Sequence, residues 1–246
     1  MNILGLGFVI FAAGLMVGFN IISRRRAHNL RDIPAFYRLG GAIELAVEDG
    51  TRVHVSIGRG DITSPRSAAA FVGLSMLRRV ATVASDSDQP PLATAGDGAL
   101  ALLAQDTLRG TYNAIGASAN YDYRLGRAAG LTPFSYAAAT IPVIRDEHVS
   151  TNLLIGSFGT ELALITDAGD RSRTLTLAGT DSIPAQAILY ATAHEPLVGE
   201  EVFAGGAYVG AGPMHVASLH AQDALRWLIA LALILGAFGK LIGLFP

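Results

Sequence analysis

The sequence predicts a layered α/β domain, residues 24–223, flanked by transmembrane helices at residues 1–23 and 224–246. Three observations support this fold class. Both ends of the chain are long and apolar, the middle alternates strand-like with helix-like stretches, and only 15% of the 246 residues are charged. An ordinary soluble domain has roughly 25% charged residues, and alternating strands and helices are typical of a layered α/β fold.

The first element is predicted from GLGFVIFAAGLMVG, residues 5–18. A dinucleotide-binding turn needs a glycine three residues after its second glycine, and Ile10 stands there instead. No charged residue precedes Arg24, and the apolar or small stretch from residue 3 to residue 22 is long enough to cross a hydrocarbon core of about 30 Å. The sequence therefore predicts a membrane helix and no cofactor site in this stretch.

The charges beside this helix predict its orientation. Arginines at 24–26 and Arg31 follow the span, whereas a cleaved signal peptide carries positive charge before its apolar core. Positive flanks stay in the cytoplasm. The N-terminus is therefore expected outside a bacterial inner membrane, and the α/β domain in the cytoplasm.

The second span is predicted at residues 224–245, with Arg226 and Trp227 as interface anchors and Lys240 near its end. Both termini would then lie outside, although a buried amphipathic helix can be equally apolar. Both spans carry small residues at a spacing of four, which allows helices to pack closely within one chain or between copies. These residues are Gly14, Gly18, Ala232, Gly236, Gly239 and Gly243.

A β-hairpin is predicted next, because residues 43–47 and 53–57 alternate apolar and polar side chains. A three-residue loop, Asp49-Gly50-Thr51, pairs Val47 with Val53, whereas a two-residue turn would set apolar against polar side chains. Gly50 is expected in the left-handed conformation.

The remaining elements repeat the order strand, helix, strand, helix. Ser64-Pro65 predicts the start of a helix, and Asp97 is expected to cap the helix after a short strand. Pro142 predicts that no helix runs through residues 137–147. TAGD at 94–97 corresponds to AGTD at 178–181, and whether the two halves arose by internal duplication is left open. The predicted segments are helix 65–84, strand 92–98, helix 98–115, strand 151–160, helix 161–171, strand 173–182 and helix 184–194.

Four glycine-bearing loops are the candidate binding site, because ligands of open α/β sheets lie beyond the carboxyl ends of the strands and near helix N-termini. Their composition fits a nucleotide or another anion, although tight turns and helix caps use the same residue types. The lysine of a phosphate-binding P-loop is missing. The candidate residues are Gly58, Gly60, Asp61, Gly96, Asp97, Gly156, Ser157, Gly159, Thr160, Gly179, Thr180 and Asp181.

Composition and motifs argue against several function classes. The chain has no cysteine, which excludes disulfides and thiolate chemistry, and its net charge of −2 gives no case for nucleic acid. Pro196 follows His194-Glu195, which therefore cannot be a zinc helix, and Asp146-Glu147-His148 is interpreted as a solvated turn. No catalytic constellation, metal or cofactor is predicted, and an enzyme is the third alternative, after a scaffold and a ligand-binding domain.

Two stretches carry a resemblance to a known family. RVHVSIGRGDITSP (52–65) and LLAQDTLRGTYNAIG (102–116) resemble stretches of an uncharacterised family of bacterial membrane-anchored proteins, over most of residues 24–240. The resemblance implies a bacterial inner-membrane location, and neither an activity nor site residues.

The function expected from these features is non-enzymatic assembly. Two spans with small-residue stripes and an alanine-rich domain predict a membrane scaffold that forms a homo-oligomer, with the lipid bilayer and further copies as partners. The alternative is a ligand-binding or sensory domain that takes a nucleotide or another anion at the glycine loops.

Overall fold

The computed structural model describes residues 3–23, 30–60, 62–64 and 67–242. They form two compact units, one of Arg31–Val209 and one of the described residues up to Leu30 and from Gly210 onward. The helices are α1 (Ile3–Ser23), α2 (Pro34–Glu48), α3 (Ser67–Val83), α4 (Gly98–Ala114), α5 (Pro133–Asp146), α6 (Leu162–Arg171), α7 (Ile183–Thr192), α8 (Glu201–Tyr208) and α9 (Pro213–Leu241). The strands are β1 (Arg52–Gly58), β2 (Leu92–Ala95), β3 (Gly126–Ala128), β4 (Val149–Ser157), β5 (Leu175–Thr180) and β6 (Glu195–Leu197).

The strands form one parallel sheet in the order β3-β2-β1-β4-β5-β6. The chain builds outward from β1 to β3, returns through α5 to the centre, and builds outward again from β4 to β6. This is the order of doubly wound sheets that bind dinucleotides. The predicted α/β class is confirmed, and β1 and β4 flank the point where the strand order reverses.

Both faces of the sheet are covered by helices, so its central strands are buried on both sides. In β1, Val53, Val55 and Ile57 share one hydrophobic core with residues of α2, α3, α4 and α8. His54 and Ser56 alternate with them and are also fully buried. The other face carries the second core, to which α5, α6 and α7 contribute.

The predicted hairpin is wrong, because residues 34–48 form α2. Its buried residues Ala35, Leu39, Ile43 and Ala46 recur at helical spacing, and Pro34 occupies the first turn. Gly50 does adopt the predicted left-handed conformation, with a φ of 64°, but it follows the end of a helix. The short alternation at 43–47 fits both a strand and one face of a helix. The residues before it, whose apolar positions recur at helical spacing, favour the helix.

The expectation that Pro142 prevents a helix is also wrong, since α5 runs through it. Pro142 lies on the exposed side of α5, where the carbonyl that loses its amide partner can bond water. At the start of the helix, Thr132 and Ser135 form a capping box.

The other predicted strands and helices of the domain are confirmed, with boundaries that differ by a few residues. The structure adds the edge strands β3 and β6, which were not predicted. Asp97 caps α4 as predicted, accepting from the amides of Ala99 and Leu100, each at 3.0 Å. Pro65 lies outside the described residues.

The second unit contains α1 and α9, which by length and composition alone could each cross a membrane. The rings of Phe19 and His220 lie 5.9 Å apart between them. α9 begins at Pro213, well before the predicted start at residue 224. A Cβ added to Gly14, Gly18 or Gly236 would meet no atom within 4 Å.

Candidate functional site

The four glycine loops form one row along the carboxyl edge of the sheet. The amide of Gly96, after β2, donates to the carbonyl of Gly58 at 2.8 Å. The amide of Arg59 donates to the carbonyl of Ser157 at 2.8 Å. The amide of Phe158 donates to Oγ1 of Thr180 at 3.2 Å. The loops after β2, β1, β4 and β5 are thus bonded to one another in that order.

Two of these glycines are required by close approach of the backbones of β1 and β4. Gly58 has a φ of 77°, and a Cβ on it would lie 2.4 Å from the carbonyl oxygen of Ser157. A Cβ on Gly156 would lie 1.8 Å from the carbonyl oxygen of Ile57. These contacts explain both glycines by packing, without a ligand.

An ion pair crosses the row at the point where the strand order reverses. Nη1 of Arg59 lies 3.5 Å from Oε1 of Glu161, whose side chain is 1% exposed. The Arg59 side chain is 25% exposed, and its Nη2 donates to the carbonyl of Leu131 at 3.5 Å. Nε of Arg59 is buried without a hydrogen-bond partner among the described residues. Charge-assisted hydrogen bonds are typically about 2.8 Å long, so this guanidinium is held loosely.

Two further glycines make room for this pair. A Cβ on Gly96 would lie 2.1 Å from Cγ of Arg59, and one on Gly159 would lie 2.5 Å from Oε2 of Glu161. The amide of Gly159 also donates to Oε1 of Glu161 at 2.9 Å. Gly96 and Gly159 are therefore explained by the Arg59–Glu161 pair that lies over them.

The helices that start at this edge differ in how their first amides are used. The carboxylate of Asp97 occupies the start of α4. At α6, by contrast, the side chain of Glu161 makes no capping bond to the helix, and the amides of Thr160 and Glu161 have no acceptor among the described residues. Oδ1 of Asp181, after β5, is buried without a partner among those residues.

A buried polar network lies on the α5 side of β1, below these loops. The hydroxyl of Tyr136 contacts Oγ of Ser56 at 2.5 Å and accepts from the amide of Gly58 at 3.3 Å. Nδ1 of His54 lies 2.7 Å from Oδ1 of Asn152, and Nε2 lies 2.9 Å from Oγ1 of Thr94. The network joins α5, β1, β2 and β4.

Burial shifts the pKa of both ring groups in this network. Desolvation lowers the pKa of His54 from 6.5 to about 4, against the opposing effect of the hydrogen bond to Asn152. Desolvation also raises the pKa of Tyr136 above its ordinary value of 10.0. Both side chains are therefore neutral at pH 7, which suits groups that hold the loops in place.

The structure thus places the predicted residues in one row, but their surroundings differ. Gly60 is buried, Ser157 and Thr180 bond neighbouring loops, Gly179 packs against Leu197, and Asp61 lies outside the described residues. Sequence reasoning missed the roles of Arg59, Glu161, Tyr136 and His54. The polar residues that alternate with valine in β1 were the available signal, once β1 is recognised as a central strand.

Other polar clusters and cavities lined by described residues lie away from this edge. The predicted turn is present, with Asp146 and His148 exposed, and its Glu147 pairs with Arg52 and Arg127. A groove on α2 and α8 contains stacked rings of Phe36 and Tyr208, 4.6 Å apart. Within the described part of the chain, no three histidine or acidic side chains could hold a metal ion.

Comparison with known protein families gives a match over nearly the whole chain. A family model described as a domain of unknown function, DUF6754, matches residues 2–245. No curated protein and no solved structure gives a significant match to this sequence.

Proposed function

The chain belongs to the DUF6754 family, and we propose that it is a membrane-anchored domain that binds a nucleotide at the carboxyl edge of its sheet. The proposal is carried by the strand order. In open α/β sheets, ligands bind where that order reverses, beyond the carboxyl ends of the two diverging strands. Here those strands are β1 and β4, and the loops that follow them hold Arg59 and Glu161.

The groups at this edge fit the parts of a nucleotide. Arg59 and the amides of Thr160 and Glu161 are donors for phosphate oxygens. The carboxylates of Asp97 and Asp181, after the flanking strands β2 and β5, are acceptors for ribose hydroxyls, as an acid near the phosphate turn is in dinucleotide-binding folds. Tyr136 holds β1 and its loop through the amide of Gly58.

The location proposed for this domain is the cytoplasmic side of a bacterial inner membrane, with both termini outside. The arginines at 24–26 and Arg31 support it, because positive flanks stay in the cytoplasm. Protease added to intact spheroplasts is expected to leave residues 32–220 uncut. Cleavage within that range would contradict the orientation.

Ligand binding is tested by thermal unfolding of the full chain in detergent, with a panel of nucleotides and phosphate-bearing metabolites. A ligand present at about 100 times its dissociation constant stabilises the folded state by roughly 2.7 kcal/mol. Arg59→Gln should remove the shift, whereas the matched control Arg171→Gln, on the surface of α6, should retain it. A panel without any shift would contradict the proposal.

Assembly into a homo-oligomer is the second candidate function, and one observation favours it. α1 carries an open apolar groove lined by Phe11, Gly14, Leu15, Gly18, Phe19 and Ile22. A Cβ on Gly14 or Gly18 would meet no atom of the described chain within 4 Å, so the space beside both glycines is open. Small residues of this kind let helices from separate copies approach closely.

The residues proposed for this packing do not share one environment. Gly14, Gly18 and Gly236 face open space and Ala232 is exposed, whereas Gly239 is buried within its unit and Gly243 lies outside the described residues. Because Gly239 is buried, the test uses Gly18→Ile with Gly236→Ile, which is expected to shift the detergent-solubilised particle to smaller species in native mass spectrometry. A wild-type protein that stays monomeric on concentration would contradict assembly.

A further inference from the structure

The carboxylate of Glu161 lies just before α6, between the loop amide of Gly159 and the guanidinium of Arg59. It accepts the amide of Gly159 at 2.9 Å and faces the guanidinium of Arg59 at 3.5 Å. Its side chain is almost completely buried, and it lies over Gly159 in the loop between β4 and α6. The protein therefore supplies its own negative group at the position where the strand order reverses.

The pairing of these two residues is incomplete on the arginine side. Both contacts from the terminal nitrogens of Arg59 are 3.5 Å long, and its buried Nε has no acceptor among the described residues. A guanidinium offers five N–H donors, and the described residues engage only two of its nitrogens, each at 3.5 Å. A ligand that bonds all the donors of this guanidinium must therefore offer more acceptor oxygens than the carboxylate of Glu161.

We propose that Glu161 is an internal competitor that makes this site select multiply charged phosphate groups over singly charged anions. The inference rests on the proposed function and specifies its ligand. A monoanion that displaces Glu161 from Arg59 replaces one carboxylate by an equivalent charge and gains little. A diphosphate or triphosphate group brings more than one charge and can bond the guanidinium through two oxygens.

The direction of the effect follows from the geometry. Replacing Glu161 by Gln keeps an oxygen for the amide of Gly159 but removes the charge that neutralises Arg59. The site then gains an unpaired cation, so any anion should bind more tightly, and singly charged anions should bind detectably. Removing Arg59 as well should abolish binding of both kinds of anion.

The experiment measures the dissociation constants of inorganic pyrophosphate and acetate for the full-length protein in detergent, by calorimetry at constant ionic strength. The wild type is expected to bind pyrophosphate and not acetate. Glu161→Gln should bind pyrophosphate severalfold more tightly, the scale of an ion pair with a partly exposed arginine, and should bind acetate. The matched control Asp167→Asn removes one negative charge from the exposed side of the same helix and should change neither constant.

Two further variants keep the result decisive. Arg59→Gln with Glu161→Gln should bind neither anion. Glu161→Asp, which keeps the charge but withdraws it by one methylene, should shift pyrophosphate affinity in the same direction as Glu161→Gln, and serves if that variant does not fold. Unchanged affinity in the Glu161 variants would refute the proposal that Glu161 competes with the ligand, and would leave the proposed function unaffected. Absence of pyrophosphate and nucleotide binding in every variant would refute the proposed function itself.

Discussion

A Cβ atom added to Gly156 would lie 1.8 Å from a backbone oxygen, whereas one added to Gly14 or Gly18 would meet no atom within 4 Å. The first glycine belongs to the sheet of the α/β unit, and the other two belong to the first terminal helix. Glycine-rich stretches of similar appearance in the sequence thus have opposite meanings. In the sheet, glycine provides space that neighbouring atoms of the same chain fill. In the helix, the space beside the glycines is open among the described residues.

The largest effect is expected at Gly156. Gly156→Ala places a methyl group against the carbonyl oxygen of Ile57, which belongs to a central strand and cannot move aside. We expect the free energy of unfolding to fall by about 3 kcal/mol, the upper range for overpacking in a core. Hydrogen exchange of the β4 amides, followed by mass spectrometry, measures the change. Gly98→Ala is the control, because a Cβ there meets no atom; an equal loss in both variants would contradict the crowding argument.

A similar loss of stability is expected when the pH is lowered and His54, in the α/β unit, becomes protonated. Its pKa is about 4 in the folded protein and 6.5 when unperturbed, so the unfolded chain binds more protons between these values. Stability is complete above pH 6.5 and falls as the pH drops towards 4, by roughly 3 kcal/mol. Urea unfolding at several pH values measures this slope. His54→Gln should flatten it and His215→Gln should not; a slope that persists in His54→Gln would assign the effect to other groups.

Gly96 tests whether a glycine packed against a side chain is less critical than Gly156, which is packed against backbone. The atom closest to a Cβ at this position belongs to Arg59, which can shift, so we expect Gly96→Ala to cost only about 1 kcal/mol of stability. The displaced guanidinium should nevertheless weaken pyrophosphate binding severalfold. Gly110→Ala, in the open surroundings of the following helix α4, is the control for both measurements. If Gly96→Ala bound pyrophosphate as tightly as the wild type does, Arg59 would not be part of the binding site.

The smallest effect is expected in the terminal helices. Gly14→Ala adds a methyl group to open space, and its effect on the unfolding of the detergent-solubilised protein should stay within about 0.5 kcal/mol. Circular dichroism during thermal unfolding measures it. A marked loss of stability would show that the groove on α1 is filled in the native protein.

The sequence was sufficient where its signals were long or local. Alternating strands and helices predicted the α/β class, and Asp97 predicted the cap of α4 correctly. The five residues at 43–47 misled because their alternation fits both a strand and one face of a helix. Pro142 misled because the rule against proline in helices weakens where the freed carbonyl faces water. Strand order could not be predicted, since it depends on contacts between distant segments.

The location of the candidate site could be predicted from the sequence, but the charged residues that form it could not. Glycine and Ser/Thr loops after strands indicated the carboxyl edge, and the structure brings all four loops into one row. The Arg59–Glu161 pair could not be foreseen, because its two members are far apart in sequence and meet only when β1 lies beside β4. The same adjacency buries His54 and Ser56, which an edge strand would have left exposed to solvent.

The central claim is that the ligand binds where β1 and β4 diverge, and photo-crosslinking tests it most directly. The full-length protein is irradiated with an azido-substituted ATP, digested, and the labelled peptide is identified by mass spectrometry. The account predicts labelling in the loops after β1 or β4, within residues 58–64 or 157–162, and loss of the label with excess pyrophosphate. Pyrophosphate-sensitive labelling of the groove on α2 and α8, or of the terminal helices, would contradict it.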